Sequence, residues 1–246
     1  MYTLIVVGAA AIAMMIVERL GPGRNWPRVK GWWARAIILN GVQVGSVFLA
    51  GIAWDHWMHD KSLWNAQALG TTGGALLGYF VITFVYYWWH RFRHDVYFLW
   101  RWFHQVHHSP QRIEVITSFY KHPVEIIVNS VLSSAILYML VGLDTKAASL
   151  AILMTGLAEL FYHWNVKTPY WLGFIFQRPE SHCIHHQEDL HRYNYSDLPM
   201  WDMLFGTFKN PKEFTSTCGF GPEREPRLGE MLIGVDVYEN TTKGSA

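Results

Sequence analysis

The sequence predicts an all-α membrane protein, built as a bundle of four or five transmembrane helices with a helical cap on one face of the bilayer. Of the 246 residues, 51% are hydrophobic and only 16% are charged, against roughly 25% charged residues in soluble domains. The chain also carries 13 Trp and 12 Tyr, which collect at membrane interfaces because their rings are amphipathic. Five apolar stretches follow one another, and most approach the ~20 residues that a spanning helix needs.

These five stretches are interpreted as the spans of one membrane domain that covers residues 1–246. Their predicted bounds are 2–17, 36–54, 69–89, 124–143 and 147–163. The first lacks a basic leading region and an obvious cleavage site, so we expect a retained span and not a signal peptide. The last two are joined only by residues 144–146, and two full crossings or a re-entrant pair both fit this pattern.

The basic residues predict the orientation. If the spans alternate, segments 18–35, 90–123 and 164–246 share one side of the membrane, and that side holds every Lys and Arg except Lys61 and Lys146. The positive-inside tendency places this side in the cytoplasm and the N-terminus outside. The predicted cytoplasmic cap is therefore 90–122 together with 164–246. A net charge of +1 gives no reason to expect a nucleic-acid partner.

The histidines concentrate on the predicted cytoplasmic side. Only His56 and His59, of 13 histidines, fall in the opposite loop. The others are His90, His94, His104, His107, His108, His122, His163, His182, His185, His186 and His191. Three separate stretches of the chain contribute them, so a common role on one face of the membrane is the simplest explanation.

The spacing of these histidines indicates a metal site. One HxxxH motif begins at His90, and HxxHH motifs begin at His104 and His182. Residues three or four apart share a helical face, and neutral imidazole suits iron, zinc and copper. A single HxxxH motif near a membrane helix is more often a buried polar pair, but three such motifs on one side favour metal binding. Eight ligands exceed the six of an octahedral ion, so the motifs predict a di-metal site. Cys183 and Cys218 form no CxxC pair and indicate neither a disulfide framework nor an iron–sulfur cluster.

Six stretches between residues 90 and 208 carry a resemblance to a known family. They are HRFRH (90–94), WFHQVHHSP (102–110), KHPVE (121–125), FYHWN (161–165), PESHCIHH (179–186) and NYSDLPMWDMLFGTF (194–208). In these motifs the chain resembles the fatty acid hydroxylase and sterol desaturase superfamily of integral-membrane di-iron enzymes. The resemblance implies an O2-dependent non-haem monooxygenase with two iron ions, which hydroxylates a C–H bond of a fatty acyl, sterol-like or related lipid. Zinc is a possible replacement for iron in purified protein.

The resemblance also implies a ligand set. It assigns His90, His94, His104, His107, His108, His182, His185 and His186, and it adds His163 as a ninth ligand. Some relatives have a second histidine four residues after the position of His163, where this chain has Lys167. A tenth coordination position therefore stays open to water, Asn165, His191 or His122.

Several residues near the motifs have two interpretations. His122 precedes Pro123, where it is either a metal-site residue or a polar residue at a helix start. His191 lies in a charged stretch and is either solvated or part of the site. Glu159 lies one helical turn before His163 and could hydrogen-bond to an imidazole that binds metal. Asp202 either orients a histidine or caps the turn that follows it.

The resemblance implies partners that the chain does not itself supply. No cytochrome b5-like domain is expected, because the sequence has no haem-binding HPGG. Electrons would then come from a separate ferredoxin-like or cytochrome b5-like donor with its reductase, and the lipid would enter from the bilayer. Desaturation and C–C or C–O cleavage remain alternatives on the same scaffold. A metal transporter would hold its ligands near the bilayer midplane, and a zinc hydrolase would need only three ligands and an open position. The sequence leaves the oligomeric state open.

Overall fold

The structure, a computed structural model, describes residues 2–59, 61–215 and 217–238. All regular elements in these ranges are helical, and the β-type pairing found there is an isolated antiparallel bridge between Gln187 and Cys218. The all-α class predicted from the sequence is therefore confirmed. We label the five long helices α1 to α5 and refer to the short ones by their bounds.

The long helices follow the five apolar stretches. They are α1 (Tyr2–Leu20), α2 (Trp32–Ala53), α3 (Gly70–Asp95), α4 (Pro123–Ser134, continued by a π-helix over Ala135–Leu140) and α5 (Thr145–Tyr162). Within the described residues, four helical segments are long and apolar enough to cross a membrane: Thr3–Leu20, Trp32–Ala53, Gln67–Asp95 and Pro123–Leu140. The count agrees with the predicted four or five spans. A full crossing by α5, which is not among the four, stays a prediction.

Helix α3 extends further than the sequence prediction. The apolar stretch was expected to end at residue 89, but the helix continues to Asp95. Residues 90–95 include neither Gly nor Pro, so the backbone continues the helix after the apolar stretch ends. His90 and His94 therefore project from the last turns of α3 at an i, i+4 spacing.

Small residues let α3 pack closely against its neighbours. A Cβ atom added at Gly78 would lie 2.7 Å from Cδ1 of Leu143, and one added at Gly74 would lie 3.2 Å from Cβ of Ala147. Such close approach between helices is typical of small residues in membrane bundles. The contact holds α3 against the start of α5 and fixes the frame that carries the histidines.

Apart from residues 90–95, which end α3, the described part of the predicted cap contains only short helices joined by irregular loops. After α3 the chain forms Tyr97–Leu99, a π-helix over Trp100–His104, and Gln105–His108. After α5 the helical segments are Tyr170–Phe174, Pro179–His185, Pro199–Leu204 and Leu228–Leu232. The described part of 164–246 is thus less helical than expected, because Pro and polar residues interrupt it repeatedly. Residues 239–246 of the predicted cap lie outside the described residues.

Candidate metal centre

Nine histidines come together in two adjacent groups. Within each group the ring nitrogens lie within 4.8 Å of one another. The first group is His90, His94, His104, His108 and His185, and the second is His107, His163, His182 and His186. These are the eight histidines of the three motifs together with His163. His56 and His59 belong to neither group.

Each HxxHH motif contributes to both groups. His104 and His108 lie in the first group, while His107 lies in the second; conversely, His182 and His186 lie in the second group, while His185 lies in the first. On a helix, residue i+4 lies about 40° to one side of residue i and residue i+3 about 60° to the other. The HxxHH spacing therefore directs a pair of imidazoles into one group and a single imidazole into the other.

The separations between ring nitrogens fit metal binding. Nε2 of His104 lies 3.1 Å from Nε2 of His108, and Nε2 of His182 lies 3.1 Å from Nε2 of His163 and 3.0 Å from Nε2 of His186. These distances are shorter than twice a metal–nitrogen bond of about 2.0–2.1 Å. One ion could therefore contact both nitrogens of each pair.

Buried nitrogens without hydrogen-bond partners give a second test of the fit. Nε2 atoms of His90, His94 and His185 are buried and have no partner in the described structure. Buried polar atoms are nearly always paired, so each exception needs an explanation. All three atoms belong to the first group, where a shared metal ion would satisfy them.

The opposite ring nitrogen of several histidines bonds to a backbone carbonyl. Four Nδ1–H groups donate such bonds: His90 to Tyr195 (2.8 Å), His107 to Tyr120 (3.3 Å), His163 to Glu159 (2.9 Å) and His185 to Tyr193 (2.7 Å). Such a bond fixes the tautomer and the ring orientation and leaves the Nε2 lone pair for a metal. Metal-ligating histidines in proteins almost always have this arrangement.

A carboxylate takes this role for His104. Nδ1 of His104 lies 3.0 Å from Oε1 of Glu125 at the start of α4, and the guanidinium of Arg93 donates to the same oxygen. All three side chains are buried. Arg93 lies between the two HxxxH histidines on α3, so this ion pair joins α3 and α4 behind the first group.

Burial keeps the imidazoles neutral. It lowers the pKa of His104, His107, His108, His182 and His186 well below the ordinary value of 6.5. Burial also lowers the pKa of His163 and His185 to about 3, although the backbone bond of each opposes the shift. Neutral imidazole is the form that binds metal.

Two of the other candidate residues contact the groups or their supports. Nδ1 of His191 lies 3.2 Å from Nδ1 of His108, so His191 is buried behind the first group and is not solvated. Asp202 accepts hydrogen bonds from the backbone N–H groups of Tyr195 (2.8 Å) and Ser196 (3.0 Å). It thereby holds the turn whose carbonyl faces His90, and it touches no histidine directly.

The remaining three candidates have other partners. The backbone carbonyl of Glu159 accepts from His163, whereas its carboxylate pairs with Lys121, so the expected side-chain contact to the imidazole is replaced by a backbone contact. His122 caps α4, where Nδ1 accepts from the N–H of Val124 (3.1 Å). Asn165 bonds to the backbone of Arg24 through both ends of its amide. His122 and Asn165 lie outside both groups.

The loop that carries the Tyr193 and Tyr195 carbonyls was not identified from the sequence. Four of its residues have a positive φ: Asp189 (62°), His191 (44°), Tyr193 (67°) and Asn194 (50°). Asp, His and Asn tolerate this region better than most residues, so their clustering was the available signal. The left-handed turns place the two carbonyls against His185 and His90.

A cavity of about 390 Å³ reaches the histidines from between the long helices. Leu4 and Val7 of α1, Val44 of α2 and Ile152 of α5 line it. Four histidines also line it, His90, His104, His107 and His182. Most of its surface is apolar. Its volume falls within the range of about 300–1,000 Å³ that is typical of small-molecule sites.

Comparison with known sequences identifies relatives of this chain. The sequence model of a family described as fatty acid hydroxylase matches residues 75–207. The chain is 34% identical to the ornithine lipid hydroxylase OlsE of Rhizobium tropici over 58% of the chain and 44% of OlsE. It is 27% identical to the sphingolipid C4-hydroxylase sur2 of Schizosaccharomyces pombe over 56% of the chain and 48% of sur2.

A third relative is the alkylglycerol monooxygenase of Homo sapiens, which is 28% identical over 65% of the chain and 35% of that protein. The chain thus spans less than half the length of each of these three relatives. No solved structure matches the chain significantly.

Proposed function

This chain belongs to the fatty acid hydroxylase family, and we propose that it is a membrane di-iron monooxygenase that uses O2 and external electrons to hydroxylate a C–H bond of a lipid. The observation that carries the proposal is the junction of a mostly apolar cavity with two groups of buried, neutral histidines. A hydrocarbon chain fits the first feature, and two metal ions fit the second.

The two groups of histidines would hold one iron ion each. His90, His94, His104, His108 and His185 would bind the first, and His107, His163, His182 and His186 the second. Bound iron supplies the activation of O2, which protein side chains alone cannot provide. Zinc in the same positions would still fit the donor set, since imidazole binds both metals.

The chain itself contributes orientation and a dry site. Backbone carbonyls and the Glu125 carboxylate hold a proton on Nδ1 of their histidines, so Nε2 points into the site. Seven of the nine histidines are buried, which excludes water from the reacting atoms. The helices around the cavity would hold the alkyl chain in a fixed orientation, and such positioning can contribute much of a rate enhancement.

Sidedness and partners form part of the proposal. Basic segments around the histidines favour the cytoplasmic face, with the N-terminus on the other side. The lipid would enter between helices from the bilayer, because α1 is largely exposed along its length. A separate ferredoxin-like or cytochrome b5-like protein would deliver the electrons.

One relative is named for a different outcome on the same scaffold. The chain is 29% identical to the very-long-chain aldehyde decarbonylase GL1-9 of Oryza sativa over 48% of the chain and 47% of that protein. Cleavage of the lipid is therefore the second candidate, while the hydroxylases and the monooxygenase among the relatives favour hydroxylation. A metal transporter fits less well, since the first two histidines lie at the end of α3 and not at its middle.

The test is lipid analysis of cells that express the chain or its His107→Ala variant. We expect a lipid that gains one oxygen atom only in cells with the wild-type chain. Loss of two hydrogens would indicate desaturation, and a shortened chain would indicate cleavage. Identical lipids in both cell lines would overturn the proposed function.

A further inference from the structure

Four polar side chains meet where the cavity approaches the second group of histidines. Lys121 and Glu159 form an ion pair in the cavity wall. Tyr162 and Asp197 line the same cavity. The Tyr162 ring packs against the ring of His182, with 4.4 Å between centroids. This cluster, which we call the polar subsite, therefore adjoins the proposed metal ligands.

The charged and polar groups of the polar subsite interact with one another. The pKa of Asp197 is raised to about 7, mainly by burial and also by the negative charge of Glu159, whereas Lys121 and a hydrogen bond from Tyr162 oppose the shift. Glu159 and Lys121 keep 18% and 12% of their side-chain surface exposed. Because both residues line the cavity, a ligand there can reach them.

The donors and acceptors of the subsite define its ligand. A lysine ammonium has three N–H donors and no acceptor, and a carboxylate accepts through two oxygens. One donor of Lys121 is used by Glu159, so others are available. A ligand group that both accepts and donates hydrogen bonds can accept one from Lys121 and donate another to a carboxylate of the subsite. Hydroxyl and amide groups do this, whereas esters, ethers and carboxylates only accept.

The rest of the cavity suits a hydrocarbon chain. Most of its surface is apolar and includes Val7, Val47 and Ile152 of α1, α2 and α5, while uncharged polar side chains such as Asn40 and Gln43 also line it. A lipid with its tail among these helices would present its polar end, and not its methyl end, beside His182. The carbons nearest the polar group would then lie closest to the histidines.

We propose that Lys121, Glu159, Tyr162 and Asp197 bind a hydroxyl or amide group of the lipid substrate, so that a carbon near that group meets the metal site. The assignment of a substrate rests on the proposed function, but binding at the subsite does not require turnover. The class of substrate is thus a long-chain alcohol or amide, oxidised near its polar end.

Equilibrium binding to the purified, metal-loaded full chain in detergent tests this subsite. The probes are tritiated 1-hexadecanol and tritiated palmitamide, with unlabelled methyl palmitate, palmitate and hexadecane as competitors. We expect the alcohol and the amide to bind at least tenfold more tightly than the three competitors, because hydrogen bonds to charged groups are the stronger ones. Equal or tighter binding of the ester, the carboxylate or the alkane would overturn the subsite.

Two variants locate the binding. Lys121→Met combined with Glu159→Gln removes both charges together, which avoids an unpaired buried charge, and Asp197→Asn is the second variant in case the first does not fold. Each should weaken binding of the alcohol and the amide about tenfold. Thr155→Val is the matched control, because Thr155 lines the same cavity one turn earlier on α5 and its hydroxyl bonds to Ile152 within the helix. Equal affinity of all folded variants would refute the proposal.

The position of oxidation separates this proposal from the proposed function. In expressing cells, tandem mass spectrometry should locate the new oxygen near the polar end of the lipid, and the Asp197→Asn variant should spread it along the chain. Oxidised lipid with its oxygen at the methyl end would overturn the subsite and leave the monooxygenase intact. Selective binding without any oxidised lipid would support the subsite and contradict the proposed function.

Discussion

Nδ1 of His104 lies 3.0 Å from Oε1 of Glu125, so a buried carboxylate supports one histidine of the first group. The four histidines with backbone partners are instead supported by neutral carbonyl oxygens. A carboxylate partner raises the basicity of an imidazole more than a carbonyl does, and such partners tune metal affinity. The two proposed metal sites are therefore not equivalent.

Glu125→Gln should lower metal affinity or activity about 10–100-fold, because the amide is a weaker partner for His104 than the carboxylate. Metal content per chain and lipid oxidation are the measurements. Glu114→Gln is the control, since this buried carboxylate accepts from Trp32 and Arg112 and contacts neither group of histidines. Equal metal loss in both variants would mean that Glu125 affects metal binding only by stabilising the fold.

The division of each HxxHH motif predicts which metal a substitution removes. His108→Ala should release the metal of the first group, and His107→Ala that of the second, so each variant should keep about one metal per chain and lose nearly all activity. Metal analysis with an anomalous diffraction map would locate the remaining ion. His56→Ala, at an exposed residue outside both groups, should keep two metals. Full activity of His107→Ala or His185→Ala would contradict the ligand assignment.

The stability of the metal-free protein should fall on acidification. Burial lowers the pKa of His163, His185 and His191 to about 3, while the unfolded chain titrates near 6.5. Between these values the unfolded state binds more protons, so stability is fully present above pH 6.5 and is lost as the pH falls toward 3. In this window, each such histidine lowers the free energy of unfolding by about 1.4 kcal/mol for each unit by which the pH falls. A thermal midpoint that stays constant from pH 7.5 to 5 would rule this out.

Much of the candidate site could be predicted because its histidines lie in local sequence patterns. The three motifs fix eight histidines by helical spacing, and the family resemblance, now confirmed by the match over 75–207, adds His163. The supporting contacts could not be predicted in the same way. Two of them come from the Tyr193 and Tyr195 carbonyls, in a loop with left-handed residues, and two from the carbonyls of Tyr120 and Glu159. No side-chain pattern specifies where a backbone carbonyl points.

The same distinction applies to the fold. Apolar length located the long helices, but it could not show that α3 continues through the polar residues 90–95 or that α4 becomes a π-helix at Ala135. The first follows from the absence of Gly and Pro in 90–95. The π-helix packs against Met58 and α3, and apolar length does not specify such contacts between distant parts of the chain. His122 and Asn165 illustrate the limit for single residues, because a helix cap and a loop bond compete with metal binding for the same atoms.

Topology is tested by reporters. A reporter fused after Ala246 should be cytoplasmic, and one inserted near Asn65 should face the opposite side, because the basic residues flank the histidines. Protease protection of sealed vesicles measures both. A reporter inserted near Gln111 should share the side of the C-terminal one. Opposite sides for these two would conflict with a joint site built from the motifs at His104 and His182.

His163 and His122 give the sharpest contrast between a ligand and a structural histidine. Nε2 of His163 lies 3.1 Å from Nε2 of His182, so His163→Ala should release the second metal and abolish activity while the bundle persists. His122 instead caps α4, and Nε2 donates to the carbonyl of Leu232 at 3.1 Å. His122→Ala should therefore cost about 1 kcal/mol of stability, as for other lost caps, and leave two metals per chain.

His122→Asn completes this comparison, because asparagine is a strong N-cap and should recover most of the stability that alanine loses. The His122→Asn variant should keep its full metal content, since His122 lies outside both groups. For His163, asparagine should restore nothing, because its short amide does not replace an imidazole Nε2 in the second group. Full metal content in His163→Ala would contradict only the assignment of His163 as a ninth ligand, and the eight motif histidines would stay as proposed. Metal loss in His122→Ala that asparagine does not reverse would instead assign His122 to the metal site.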